Sequence, residues 1–389
     1  MVIFGRLLPL CLVLGTSTLA QAGTSSGDRA LEDLGRALFF DTRLSANGNL
    51  SCASCHDPAQ GFVDPGTNRL GGAVSLGDDG RSLGDRNAPS VTYAAFTPDF
   101  HRDNEGQIVG GLFWDGRAAT LADQAMGPPL NPGEMGMPDM EAVRQRLLEN
   151  PDYVVRIGEL FGPETLDDAG RTYRAMAESI AAFERTDTVS PFDAKYDRYL
   201  RGEYQFTEQE ELGRTLFFSQ QFTNCNRCHQ LETSPMAARE TFTNYRYHNI
   251  GVPVNEKVRA ANGMEQDYVD PGLLNNPNLV DWEARGRYKV PSLRNVAVTG
   301  PYMHNGVFND LETVIRFYNH YNSRSEKSQI NPETGRHWRE PEVAENVSLT
   351  DLEHGPALDE RRIEALVAFL ETLTDKRYEP LLEARKTAR

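Results

Sequence analysis

Cys52-Ala53-Ser54-Cys55-His56 and Cys225-Asn226-Arg227-Cys228-His229 hold every cysteine of the chain except Cys11. The same pentapeptide form occurs twice: two thiols three positions apart, followed at once by a histidine. That spacing suits one chemistry. Each thiol can form a thioether to one of the two vinyl groups of a haem, and the adjacent histidine reaches the iron as an axial ligand. A redox CxxC pair would favour a thioredoxin-like βαβ context, which the sequence lacks. A zinc site built from four thiols would not need a histidine directly after both pairs. The sequence therefore points to two covalent c-type haems, one on Cys52, Cys55 and His56 and one on Cys225, Cys228 and His229.

Outward from the motifs, a longer duplication emerges. Leu34-Gly35-Arg36-Ala37-Leu38-Phe39-Phe40 precedes the first and Leu212-Gly213-Arg214-Thr215-Leu216-Phe217-Phe218 the second. Both read as helices, since Leu31, Leu34 and Leu38 recur at helical spacing and Thr207 with Glu210 forms a capping box. Matching loops follow, Ala88-Pro89-Ser90-Val91 and Val290-Pro291-Ser292-Leu293. Each half ends on an amphipathic helix, one with Tyr173, Met176, Ile180 and Phe183, the other with Ile363, Leu366, Phe369, Leu370 and Leu373. Strand-like alternation is scarce. The expected fold is mainly α: two cytochrome c-like domains, residues 23–190 and 191–389, with a linker in the stretch 187–206.

A third repeated segment makes the halves unequal. Phe113-Trp114-Asp115-Gly116 aligns without gaps on Met303-His304-Asn305-Gly306, and in that register Tyr318 falls opposite Pro128. Tyr318 lies on a predicted helix whose apolar face is Leu311, Val314, Ile315 and Tyr318. A phenol oxygen can ligate iron, whereas Pro128 has no side-chain donor. Haem 2 is expected to be six-coordinate through His229 and Tyr318, and haem 1 to keep an open face beyond His56. His248 and His304 are rival ligands, with His304 read as a buried hydrogen-bonding residue.

Residues 1–22 read as a secretory signal, with Arg6 before the apolar run 7–14 and a small-x-small site at Ala20-Gln21-Ala22. The run is too short to span a bilayer. Its removal takes Cys11, and the expected location is the periplasm. The 389 residues carry 40 Lys and Arg against 56 Asp and Glu, a net charge of −16. Such an acidic chain lacks the electrostatic footprint for nucleic acid. The 25% charged and 39% hydrophobic residues are those of a globular protein.

Several further segments resemble one family. They are Gly77-Asp78-Asp79-Gly80, Gly84-Asp85-Arg86-Asn87, Phe113-Trp114-Asp115-Gly116-Arg117, Arg239-Glu240-Thr241-Phe242-Thr243-Asn244, and the run from Val290 to Phe308. Over essentially the whole mature chain the sequence resembles the bacterial dihaem cytochrome c peroxidase superfamily, and more narrowly its methylamine-utilisation branch. The peroxidases proper place a methionine where Tyr318 stands. Many also cap haem 1 with a histidine from the loop after the first motif, and here no histidine occurs between His56 and His101.

The resemblance implies roles residue by residue. Trp114 would lie between the haems and relay charge. Glu134 and Gln124 match the distal pocket of haem 1, with Glu134 moving the proton that O–O cleavage needs and Pro128 shaping the pocket. Asn87, Thr299 and Pro301 match a calcium site between the haems. The implied reaction uses hydrogen peroxide, or oxygen plus electrons, to oxidise two tryptophans of the methylamine dehydrogenase precursor into tryptophan tryptophylquinone. A small donor cytochrome or cupredoxin is a further implied partner. Where that branch has a relay aromatic, two residues before the second motif, this chain has Thr223. Phe222 beside it is hard to oxidise, and Trp282 and Trp338 read as structural. The alternatives are a dihaem peroxidase fed by a donor cytochrome and a non-catalytic electron carrier with two saturated haems.

Overall fold

A computed structural model describes residues 25–387 apart from 233 and 266. The signal reading and Cys11 lie outside the described residues. The first helix, α1 (Ser26–Phe39), starts where Ser25 and Asp28 bond each other's backbone amides. It buries Leu34, Gly35, Leu38 and Phe39. The short α2 (Leu121–Ala125) is capped by Thr120, and α3 (Ala169–Glu184) by Asp168. In the second half, α4 (Glu208–Phe217) begins at the expected Thr207–Glu210 box. Then come α5 (Leu311–His320) and α6 (Glu360–Glu371). Among the described residues strands are confined to two-residue pairs. One of these matters below: β1 (Tyr247–His248) runs antiparallel to β2 (Tyr288–Lys289). No described helix is long and apolar enough to cross a membrane.

The glycine shared by the two Leu-Gly-Arg segments has a packing reason. α1 crosses α3 at Gly35, where an added Cβ would sit 1.7 Å from the carbonyl oxygen of Ser179. α4 crosses α6 at Gly213, where it would sit 1.9 Å from that of Ala365. Backbone cannot give way as a side-chain tip can. Gly213→Ala gains about 1 kcal/mol of helix propensity, but the helices must separate, and overpacking of this kind costs about 1–3 kcal/mol or more. We expect a net loss of stability, read as a lower urea midpoint at unchanged slope.

The duplication extends into the backbone. Phe62 and Phe242 both have φ of 56°, Tyr93 and Asn295 both 61°, and Phe113 and Met303 63° and 70°. Bulky residues seldom adopt left-handed φ, and each instance costs about 1–3 kcal/mol. Ser90 donates to the Gly61 carbonyl at 2.7 Å as Ser292 does to that of Thr241. One main apolar cluster draws on residues 34–189 and another on residues 196–382.

Polar groups join them. Tyr93 Oη donates to Asp375 at 2.5 Å, and Asn295 donates to the same carboxyl at 2.8 Å. Arg294, 2% exposed, grips Asp197 with two bonds of 2.6 and 2.9 Å and donates to the Glu240 carbonyl at 2.8 Å. The rings of Tyr93, Phe192 and Phe242 surround its guanidinium at 4.8 to 5.3 Å.

Candidate functional site

Two cavities open on the two pentapeptides. The first, about 550 Å³, is lined by Cys52, Cys55 and His56, and the second, about 260 Å³, by Cys225, Cys228 and His229. In each, a single helical turn, Cys52–Cys55 or Cys225–Cys228, carries both thiols. None of the four forms a disulfide. Burial pushes the Cys52 and Cys228 thiols up to about 12, so both stay neutral. A thioether, which carries no charge, suits such a position.

The histidines repeat as well. His56 Nδ1 lies 3.2 Å from the Phe62 carbonyl and His229 Nδ1 3.2 Å from that of Phe242. A proton on Nδ1 leaves Nε2 with the lone pair a metal takes up. Burial lowers both imidazoles, His229 to about 4, so both are neutral near pH 7. Paired free thiols and a pre-set neutral imidazole on one cavity wall are the donor set a covalent haem needs, and the residues fit that group twice.

Beyond these donors the cavities differ. Phe113, Arg117, Gln124, Pro128 and Glu134 all line the first. Glu134 accepts from Asn131 at 2.8 Å, and burial raises its carboxyl, although Arg117 and Asn131 pull the other way. The guanidinium of Arg117 lies over the Phe113 ring at 3.8 Å. The second cavity takes the face of α5 formed by Leu311, Val314, Ile315 and Tyr318. Burial, reinforced by Cys228 and Cys225 nearby, raises the Tyr318 phenol well above its ordinary range.

Trp114 lines both cavities and donates its indole N–H to the Asn87 carbonyl at 2.8 Å. Asn87, Thr299 and Pro301 all line the first cavity. The Asn87 amide nitrogen is committed to the Gly72 carbonyl at 2.9 Å, which turns its oxygen the other way. Among the described residues no group of three His, Cys, Asp or Glu side chains could hold a metal ion. A calcium here would rest on amide and carbonyl oxygens.

Some expectations need correcting. Trp282 is 70% exposed, not packed: it sits on a surface turn with Arg285 over its ring. Trp338 is structural, packed edge-on against Phe308 and Phe317 and tilted against His320, with its N–H on the Ser328 carbonyl. His304 is buried, but no hydrogen bond reaches its Nε2 from the described residues. Its ring stacks on Tyr288 at 3.6 Å, and burial lowers it to about 3. His248 also faces the second cavity, with Nε2 unpartnered and Nδ1 3.7 Å from Asp351. Thr223 is buried and donates to the Leu216 carbonyl, while Phe222 beside it is exposed over the same cavity.

Among the charged residues on the cavity walls, Lys289 and Glu184 are absent from the sequence reading. Lys289 lines both cavities. Glu184 lines the first and is 4% exposed. The signal for Glu184 was available: it falls four positions after Ile180, on the apolar face of α3. Burial raises it to about 8. Between the ordinary carboxylate range and pH 8 the folded chain holds a proton here that the unfolded chain does not. Stability from this group is therefore lost as pH rises through that window, and the penalty is complete above pH 8. Glu184→Gln removes it. We expect the variant to gain several degrees in melting temperature at pH 9 and almost nothing at pH 4, a difference on the order of a few kcal/mol.

Residues 29–205 match the family model described as di-haem cytochrome c peroxidase. The methylamine utilization protein MauG of Paracoccus denitrificans (strain Pd 1222) is 54% identical over 382 residues, 98% of each chain. Cytochrome c peroxidase Ccp of Escherichia coli (strain K12) is 33% identical, covering 76% of this chain and 54% of its own. Among solved structures, the diheme peroxidase BthA of Burkholderia thailandensis E264 superposes with a TM-score of 0.79 at 33% identity, covering 90% of this chain and 86% of its own.

Proposed function

The chain belongs to the di-haem cytochrome c peroxidase family, and on that premise we propose that it is a periplasmic oxidoreductase of the MauG type. Its substrates are hydrogen peroxide and the methylamine dehydrogenase precursor, whose tryptophans it oxidises to tryptophan tryptophylquinone. The observation that carries this is the unequal pair of cavities: Tyr318 faces the one holding Cys225, Cys228 and His229, and Pro128 faces the one holding Cys52, Cys55 and His56. With 54% identity to a MauG over 98% of both chains, the protein-modifying reading is favoured over the peroxidase one.

Each half, as a domain of its own, holds one covalent haem. When bound, the haem pair would supply the redox chemistry. The protein's part is to place protons and exclude competitors. His56 would hold the first haem, and Pro128, which lines the same cavity and has no side-chain donor, would leave room there for peroxide. Glu134, whose carboxyl burial raises and Asn131 orients, would give the proton the leaving oxygen needs. Gln124 holds peroxide in register. Tyr318 and His229 would hold the second haem, and Trp114, which lines both cavities, would conduct between the two. Asn87, Thr299 and Pro301 bind calcium beside it. The precursor need reach neither cavity.

The test is to incubate the holoprotein with methylamine dehydrogenase precursor and peroxide and to follow quinone absorbance. Quinone formation with weak turnover of reduced cytochrome c supports the reading, and the reverse pattern assigns the chain to the peroxidases. Tyr318→His is expected to keep haem 2 low-spin and six-coordinate while slowing quinone formation at least tenfold, about 1.4 kcal/mol or more added to the barrier. Normal precursor maturation by that variant would remove Tyr318 from the mechanism.

A further inference from the structure

Lys289 is the second residue of β2, paired with Tyr247 of β1. Its backbone N–H donates to the Trp114 carbonyl at 2.9 Å, which fixes the side chain at the junction of the two cavities. The residue is half-buried, and its side chain lines both cavities. An ammonium carries three donors. Here one goes to the Gly111 carbonyl, and no described anion takes the others.

Asp115, the carboxylate whose charge acts on Lys289, is already engaged. Arg86 holds it at 2.7 Å, Arg117 at 3.0 Å and Asn275 at 3.2 Å. Desolvation lowers Lys289 to about 7 against the pull of Asp115. A buried cation with one neutral partner is costly unless an anion joins it. Both cavities open beside this one.

We propose that Lys289 is the counter-ion for haem propionates at the junction of the two cavities, a single ammonium serving both cofactors. The inference rests on the reading that each cavity holds a covalent haem. A haem brings two carboxylates, and its ring fills the apolar part of the cavity. Lys289 then gains the acceptors its remaining donors lack. Its positive charge also lies beside Trp114, on the path proposed between the haems.

The experiment uses the full-length holoprotein with Lys289→Met and Lys289→Arg. A pyridine haemochrome count of two in the wild type checks the underlying reading first. Any other count overturns that reading and this inference with it. Loss of a positive charge near both irons favours the ferric state. The Met variant should therefore keep two haems, show lower midpoint potentials at both, and shift the propionate bending band in resonance Raman spectra. The Arg variant should hold the potentials near wild type while the band still moves, because a guanidinium bonds carboxylates in a different geometry. Two haems in the Met variant with unchanged potentials and band would overturn the proposal. If the Met variant takes up no haem, the Arg variant decides: an unmoved band overturns it and a shifted band supports it.

Discussion

Glu134→Gln should slow the reaction of the reduced or resting protein with peroxide by two to four orders of magnitude, about the range a positioned general acid contributes. The substitution is close to isosteric, so the amide oxygen can still accept from Asn131. The backbone is held independently: the Glu134 N–H donates to the Asn131 carbonyl and the Glu134 carbonyl accepts from Asp78. Haem content and midpoint potentials should therefore stay near wild type. What disappears is the proton. Burial raises the Glu134 carboxyl, so the acid form persists to higher pH than an exposed glutamate would allow. The wild-type rate should fall as pH rises through this elevated value, and the variant should show a low, flat profile over the same range. Stopped-flow mixing with peroxide from pH 5 to 9 measures both. A variant as fast as wild type would move the proton source to another group, with Glu184 the other buried carboxyl on the cavity wall.

The second large effect is structural. Arg294→Met should destabilise the chain by about 3–5 kcal/mol, the cost of leaving one partner of a buried pair alone. Asp197 has a side-chain exposure of 4% and would lose both bonds of its bidentate pair. It keeps only the Ala194 N–H. The Glu240 carbonyl loses a donor, and the rings of Tyr93, Phe192 and Phe242 lose the cation between them. Guanidinium denaturation should show the loss. Adding Asp197→Leu to Arg294→Met should recover much of it, since replacing a whole buried pair by apolar groups is often neutral. No recovery would mean that the arginine acts through packing alone.

The two pentapeptides, the shared Leu-Gly-Arg segments and the register of Pro128 against Tyr318 were legible because they are local or repeated patterns. Helix periodicity gave α5 its cavity face, and Leu311, Val314, Ile315 and Tyr318 do line the second cavity together. Leu373 lies just beyond α6, which ends at Glu371. Lys289 escaped notice because an isolated charge carries no periodic signal, whereas Glu184 stood in register on the apolar face of α3 and was passed over as a charge at its end. Their meaning depends on walls assembled from distant segments. The Lys289 position, for instance, is set by Tyr247, Gly111 and Trp114 at once. Arg294 was hidden for the same reason, since its partner Asp197 lies 97 residues away. Exposure was the least legible property: Trp282 and Trp338 looked alike in sequence, yet only Trp338 has a packed ring.

The indole N–H of Trp114 ends on a peptide carbonyl, that of Asn87. A carbonyl can polarise that bond, but it is far too weak a base to take the proton. An indole that gives up an electron here must remain a cation, ready to be refilled. A relay tryptophan beside a carboxylate would instead lose its proton and become a neutral radical, stranded until a proton returned. On the relay proposed for Trp114, the backbone of Asn87 would make it a reversible wire rather than a trap, and peroxide-driven oxidation through it should run at the same rate in light and heavy water.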